Sequence, residues 1–149
     1  MKAICILPNH GRVIFSQSSS VKVEFDLTHF GPNETHAIHI HEFGDLSDGC
    51  KTLGLHYNPE NVNHGCYSHD TVRHSGDLIN NFKTDKDGNF KFEYNDDLLA
   101  VNDILGRSVV IHEGIDDCGH GKDKESLISG NAGKRIVCGV IGRMMNLKK

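Results

Sequence analysis

Short runs of alternating apolar and polar residues govern what this chain can fold into. Lys2 to Leu7, Arg12 to Ser16, Val21 to Leu27, Ala37 to Glu42, Asp77 to Thr84, Asn89 to Tyr94, Ser108 to His112 and Arg135 to Gly142 are rich in β-branched and aromatic residues and follow the two-residue period of strands. No stretch sustains a helical period. Turn chemistry separates the runs at Asn9-His10-Gly11, Ser18 to Ser20, Gly31-Pro32-Asn33 and Asp85-Lys86-Asp87-Gly88, the last a strong hairpin signal. About eight strands joined by turns predict an all-β antiparallel sandwich or barrel. The 149 residues make one domain, 1–149, long enough to bury a core without metals or cross-links being obligatory.

Two connections break the rhythm. Gly44 to Gly76 and Glu113 to Lys134 are rich in Gly, Asn, Asp and His and far exceed a hairpin loop, so they are either disordered or functional. Their charges are interspersed rather than blocked, which favours function. Of the 11 histidines, three fall in HAIHIHEFGD, residues 36–45. His39 and His41 lie two apart, on one strand face, with Ile38 and Ile40 on the other. Taken alone, such a pair is a half-exposed strand with polar residues facing water. Abundant imidazole in a non-repetitive chain points instead to metal, which would supply the ordering energy that long loops lack.

The net charge of −4 and the absence of any block of like charges give no reason to expect nucleic acid or an anionic membrane as partner. The apolar run Ala3 to Leu7 is closed by Pro8 and is shorter than a secretory core; nothing approaches the roughly 18 apolar residues of a membrane span. The cytosol is the expected compartment, and Asn33-Glu34-Thr35 carries no weight as a glycosylation site. The 5 cysteines are odd in number and contain no C-x-x-C pair, so zinc ribbons and thioredoxin-type sites are not expected. Free thiols are the default in a reducing compartment.

The histidine-bearing pieces fall in a definite order: HAIHIHE, then GLHYNP around His56, NHGCYSHDTVRHSGD from His64 through His74 to Asp77, VVIHE at His112, and GNAGKRIVCGVIG near the end. In order, spacing and flanking residues they resemble the copper-zinc superoxide dismutases, from near residue 2 to about residue 142. The resemblance implies an eight-stranded antiparallel Greek-key sandwich or barrel with two long functional loops, in agreement with the strand reading. It also implies dismutation of superoxide by copper that is alternately reduced and oxidised, with zinc in a structural and tuning role.

Carried across residue by residue, the resemblance implies copper ligands His39, His41, His56 and His112, and zinc ligands His56, His64, His74 and Asp77, with the His56 imidazolate shared. Four imidazoles suit tetragonal Cu(II), and three imidazoles with a carboxylate suit tetrahedral zinc. Asp116 matches a carboxylate linking His39 to His64, and so fixes their ring directions. His36 matches another supporting position, which a hydrogen-bonded core histidine explains almost as well. Arg135 matches an arginine over the copper, where its guanidinium offers a fixed fork for a small anion; the plainer alternative is a surface cation at a strand start. Cys50 and Cys138 match the family's disulfide, and Cys5 a buried inert thiol. Phe43, Leu105 and Val140-Ile141-Gly142 match an isologous dimer contact, and a copper chaperone is a further partner the resemblance allows.

The chain also departs from the family pattern. The hairpin at Ser16 to Ser20 and the segment from Tyr94 to Gly106 are shorter, and one extra residue between His64 and His74 predicts a bulge near Tyr67 to Asp70. Ile128 stands where a substrate-steering lysine is expected, while Lys122, Lys124 and Lys134 add charge nearby. Cys66 and Cys118 have no family counterpart; each lies two residues after a member of the His64–Asp116 pair. They form a second disulfide, two adjacent free thiols, or a thiol near zinc. His10, His29, His69 and His120 are left without a required role. Two other functions compete: a metallochaperone or metal-carrying structural domain on the same fold, and a zinc hydrolase, which needs an open zinc position that four protein ligands would close.

Overall fold

The computed structural model describes residues 1–146; the last three residues of the expected 1–149 domain lie outside the described residues. Eight strands form one antiparallel sheet in the order β5-β4-β7-β8-β1-β2-β3-β6. They are β1 (Lys2–Leu7), β2 (Gly11–Gln17), β3 (Val21–Leu27), β4 (Thr35–His41), β5 (Asn81–Lys83), β6 (Phe90–Asp96), β7 (Ser108–His112) and β8 (Arg135–Arg143). Consecutive β1, β2 and β3 are hairpin neighbours. The chain then crosses to the far side, where β4 pairs with β7. These crossings give the sheet its Greek-key path and roll it into a nearly closed barrel. The terminal strands β5 and β6 meet through packed rings: Phe82 and Phe90 have centroids 5.3 Å apart.

Alternation does what the sequence predicts on the inside. Leu7, Phe15, Leu27, Ile38, Ile40, Ile111 and Ile141 are all fully buried, each worth about 1.5 to 3 kcal/mol of removed apolar surface. On the outside of β4 the expectation of a water-facing strand fails. His39 is 0% and His41 2% exposed, because the two long loops fold back over that face. Strand β5 is also shorter than the predicted Asp77 to Thr84. Asp77 belongs to a 3-10 turn at Ser75–Asp77, and Leu78 and Asn80 have positive φ, conformations that break a strand. Single-turn helices α1 (Val101–Ile104) and α2 (Ser126–Ser129) lie in connections.

Candidate metal centre

Register delivers the first histidines. His39 and His41 face Val110 and Ser108 of β7, so His112, two residues beyond Val110, emerges on the same face. A bulge between Ile111 and His112 shifts the β7–β8 register and sets Arg135 opposite His112; re-aiming side chains is what such bulges do. His56 is drawn in from the first long loop by a bridge to His41, anchored where Tyr57 N–H donates to the Ile40 carbonyl at 2.8 Å.

A hydrogen bond on one ring nitrogen fixes the role of the other. His41 Nδ1 donates to the Gly54 carbonyl at 2.9 Å and His112 Nδ1 to that of Gly133 at 3.0 Å, which leaves both Nε2 atoms as lone pairs, 3.3 Å apart. His39 Nε2 donates to Asp116 Oδ2 at 2.6 Å, leaving Nδ1 free. His39 Nδ1 and His56 Nε2 are buried without any hydrogen-bond partner among the described residues. Leaving such an atom unsatisfied costs about 1 to 3 kcal/mol. Donor atoms of His39, His41, His56 and His112 all lie within 4.8 Å of one another, so a cation fits this set and satisfies both orphaned nitrogens.

The second set uses the other side of His56. Its Nδ1 lies 3.0 Å from Asp77 Oδ1, and His64 Nδ1 is 2.9 Å and His74 Nδ1 3.3 Å from the same oxygen. His64 Nε2 donates to Asp116 Oδ1 at 2.6 Å and His74 Nε2 to the Val62 carbonyl at 2.9 Å. Three imidazole nitrogens and one carboxylate oxygen therefore converge within 4.8 Å, the donor chemistry of tetrahedral zinc. Asp77 is held in place by His74 N–H, which donates to its Oδ2 at 2.8 Å.

Asp116 joins the two sets, one oxygen to His39 and the other to His64, and is itself 3% exposed. Gly130, at φ +69°, is what lets the second long loop approach it: a Cβ there would fall 2.1 Å from Asp116 Oδ1 and 2.6 Å from His64 Nε2. Two further residues, Asn80 and Asn81, escaped the sequence reading. Asn80 donates to the Gly65 carbonyl and to Asp116 Oδ2, and Asn81 clasps the Asp116 backbone at both its N–H and its carbonyl. Adjacent amides in an otherwise apolar run were the available signal.

Burial and hydrogen bonding compete in the electrostatics of the protein groups. Burial, with the neighbouring His39, pushes His56 down to about 3; burial likewise takes His112 to about 4 and holds His41 well below its usual range. Burial also opposes charge on His64, but hydrogen bonds to Asp116 and Asp77 outweigh it and raise the group to about 9. Asp77 and Asp116 are held far below the carboxylate range, their histidine hydrogen bonds overcoming burial.

A cavity of about 270 Å³ opens onto the first set, lined by His41, His56 and His112 together with Leu55, Ile128 and Arg135. Arg135 Nη1 donates to the Cys50 carbonyl at 2.8 Å and Nη2 to that of Gly54 at 2.6 Å. It is a half-buried cation pinned beside the histidines. Cys50 is bonded to Cys138, with Cα atoms 6.0 Å apart, so this disulfide secures the segment that holds Arg135. Lys122, Lys124 and Lys134 are exposed and do not line the cavity, whereas Glu125 does. Cys66 and Cys118 are also bonded, Cα atoms 4.6 Å apart, and Cys5 is a buried free thiol pushed up to about 12 by burial.

The remaining candidates sort plainly. His36 lies 3.0 Å from the His112 carbonyl and 2.9 Å from Glu34 Oε2, supporting the backbone of the first set. Near Tyr67 to Asp70, where the extra residue predicts a bulge, the loop makes a turn in which Asp70 N–H donates to the Cys66 carbonyl at 2.9 Å. His120 is 3.4 Å from Asp70. Neither it nor His69 belongs to a metal-capable donor set among the described residues. In the expected dimer patch Phe43 (52%) and Val140 (37%) are exposed, but Ile141 is 1% exposed. Its place two residues from Gly139 on β8 turns it into the core, which removes it from that patch.

The family model described as copper/zinc superoxide dismutase (SODC) matches residues 9–141. A superoxide dismutase [Cu-Zn] of Cordyceps militaris is 43% identical, over 95% of this chain and 97% of that protein. One from Saccharomyces cerevisiae is 45% identical, over 85% of this chain and 83% of that protein. A solved structure described as the clock protein EA4 superposes with a TM-score of 0.86 at 38% identity, over 95% of this chain and 93% of the other. With sequence, barrel and paired donor sets in agreement, this chain belongs to the copper/zinc superoxide dismutase family and is an oxidoreductase that uses copper and zinc to convert superoxide to dioxygen and hydrogen peroxide.

Proposed function

We propose that His39, His41, His56 and His112 hold the copper, that His56, His64, His74 and Asp77 hold the zinc, and that His56 serves both as an imidazolate. One observation carries this division: His56 Nδ1 sits in the carboxylate-containing set, while its Nε2 is buried without a partner in the four-histidine set. When bound, copper supplies one-electron redox chemistry, accepting an electron from one superoxide and giving it to the next. Arg135, clamped by two carbonyls, attracts and orients the anion at the cavity floor. His56 Nε2 is the atom that takes up a proton and returns it to the departing peroxide. Held by His56 Nδ1, His64, His74 and Asp77, zinc would fix the His56 ring in place while its Nε2 carries the proton.

Four protein donors also leave no open zinc position, which speaks against a hydrolase. A metallochaperone or structural role is disfavoured by the full copper set beside a clamped Arg135. The exposed Phe43 and Val140 and the partly buried Leu105 support a homodimer whose two-fold contact repeats the same patch. The cytosol is proposed as the compartment, with copper delivered by a chaperone. The experiment is metal analysis with superoxide consumption on purified protein. Equal copper and zinc, with activity lost on copper removal and restored on its return, is expected. Activity that survives copper removal would contradict the assignment.

A further inference from the structure

Nothing in the proposed reaction uses the Cys66–Cys118 bond, the cross-link between the two long loops. We propose that this disulfide is a redox-operated latch on the zinc set. The inference rests on the zinc assignment above. Cys66 follows His64 by two residues, and Cys118 follows Asp116 by two. Cys118 N–H donates to Asp116 Oδ1 at 2.7 Å, the oxygen that also accepts from His64 Nε2 at 2.6 Å. The disulfide and the His64–Asp116 hydrogen bond therefore close one small circuit: His64, Gly65, Cys66, Cys118, Asp117, Asp116 and back to His64.

The rest of the circuit is tied to the same place. His64 N–H donates to the Leu127 carbonyl at 2.8 Å and Asn80 to that of Gly65 at 2.8 Å. Cys66 N–H donates to Asp70 Oδ2 at 2.7 Å. With the disulfide closed, the loops cannot part without straining a covalent path. Opened, the circuit is held by hydrogen bonds alone. The other disulfide, Cys50–Cys138, secures the Arg135 clamp instead and touches no zinc donor.

The bond is also reachable. Both half-cystines are half-buried, and Cys118 borders a surface hollow of about 310 Å³ shared with Asp70 and His120. A dithiol reductant breaks the S–S bond by giving two electrons and two protons, leaving two thiols and itself becoming a disulfide. The return step uses hydrogen peroxide, which the chain's own reaction produces. Peroxide takes two electrons and the two thiol hydrogens, the S–S bond forms, and two waters leave. The product thus closes the latch that retains zinc.

The test compares the wild-type holoenzyme with the Cys66→Ser/Cys118→Ser double variant, measuring transfer of zinc to a colorimetric chelator alongside copper content. The variant is expected to release zinc about tenfold faster, the lower end of what losing an orienting partner costs a metal site, with copper content unchanged. Zinc release at the wild-type rate would overturn the latch even if thermal stability fell, since a plain staple changes only the latter. A wild-type protein that binds no zinc at these four residues would overturn the zinc assignment and the latch with it. If the double variant does not fold, the wild type is treated with a mild dithiol until mass mapping shows Cys66 and Cys118 reduced and Cys50–Cys138 intact. Faster zinc release that slows again after hydrogen peroxide is expected; release unaffected by either treatment would overturn the proposal.

Discussion

The two donor sets share a histidine but are built differently. In the copper set, three of four histidines sit on or at the end of adjacent strands, over Ile38, Ile40 and Ile111 of the core, and their positions are fixed by sheet register. In the zinc set, every donor comes from the loop between β4 and β5 or the 3-10 turn at its end, held by Asp116, Asn80 and a disulfide. A strand site is organised by the same burial that stabilises the barrel. A loop site needs tethers of its own, and the metal is one of them. The copper set should therefore tolerate local damage that the zinc set does not.

Selective metal removal gives the largest expected effect. Stripping copper should abolish superoxide consumption, while stripping zinc should leave part of it, because His39, His41 and His112 stay on their strands. Complete and equal loss from either treatment, seen in a steady-state superoxide assay, would break the comparison. Next is Asp116→Ala. Although this carboxylate touches both sets, zinc affinity should fall by about 10- to 100-fold and copper affinity much less; competition titrations with chelators measure both, and equal losses would contradict the distinction.

Arg135→Ala should keep both metals and lower kcat/KM by roughly tenfold or more, the scale of removing one positioned charge. Loss of copper from that variant, measured by elemental analysis, would show that Arg135 supports the ligands instead. Protonation gives a subtler effect in protein stripped of metal. His56 and His112, held near 3 and 4, and the depressed Asp77 and Asp116 bind protons more readily when unfolded. Stability should thus fall as pH drops below the ordinary histidine value of about 6.5. His64, raised to about 9, contributes stability fully present below about 6.5 and lost as pH rises through 9. Denaturant midpoints should be highest near neutrality and fall on both sides; a midpoint still rising past pH 9 would contradict the His64 account. Salt should have the smallest effect. Among the described residues Arg135 is the one cation lining the cavity, which Glu125 also lines, so the rate should fall by a few-fold at most as the Debye length shrinks from about 10 Å to about 3 Å.

The same contrast explains what the sequence revealed. His39, His41 and His112 were legible because a period of two places residues on faces without further information. Their depth was not: burial of His39 and His41 depends on loops packing over the strand, which no local pattern reports. Asp77 was legible as a ligand through the family motif but was read into a strand, because no glycine announces the positive φ of Leu78 and Asn80. Asn80, Asn81 and Gly130 escaped for a similar reason, since their partner Asp116 lies 36, 35 and 14 residues away. Cys66 and Cys118 were placed near each other by counting from His64 and Asp116, but no local pattern reports that their Cα atoms come within 4.6 Å of each other, the approach a bridge requires.

The claim on which both sites depend is that one imidazole, His56, joins them. Cobalt(II) loaded in place of zinc, with copper(II) in the other set, tests this by electron paramagnetic resonance. A shared imidazolate couples the two spins, so the copper signal of the wild type should be lost or strongly broadened and should reappear when cobalt is withdrawn. A copper signal that is the same with and without cobalt would contradict the bridge.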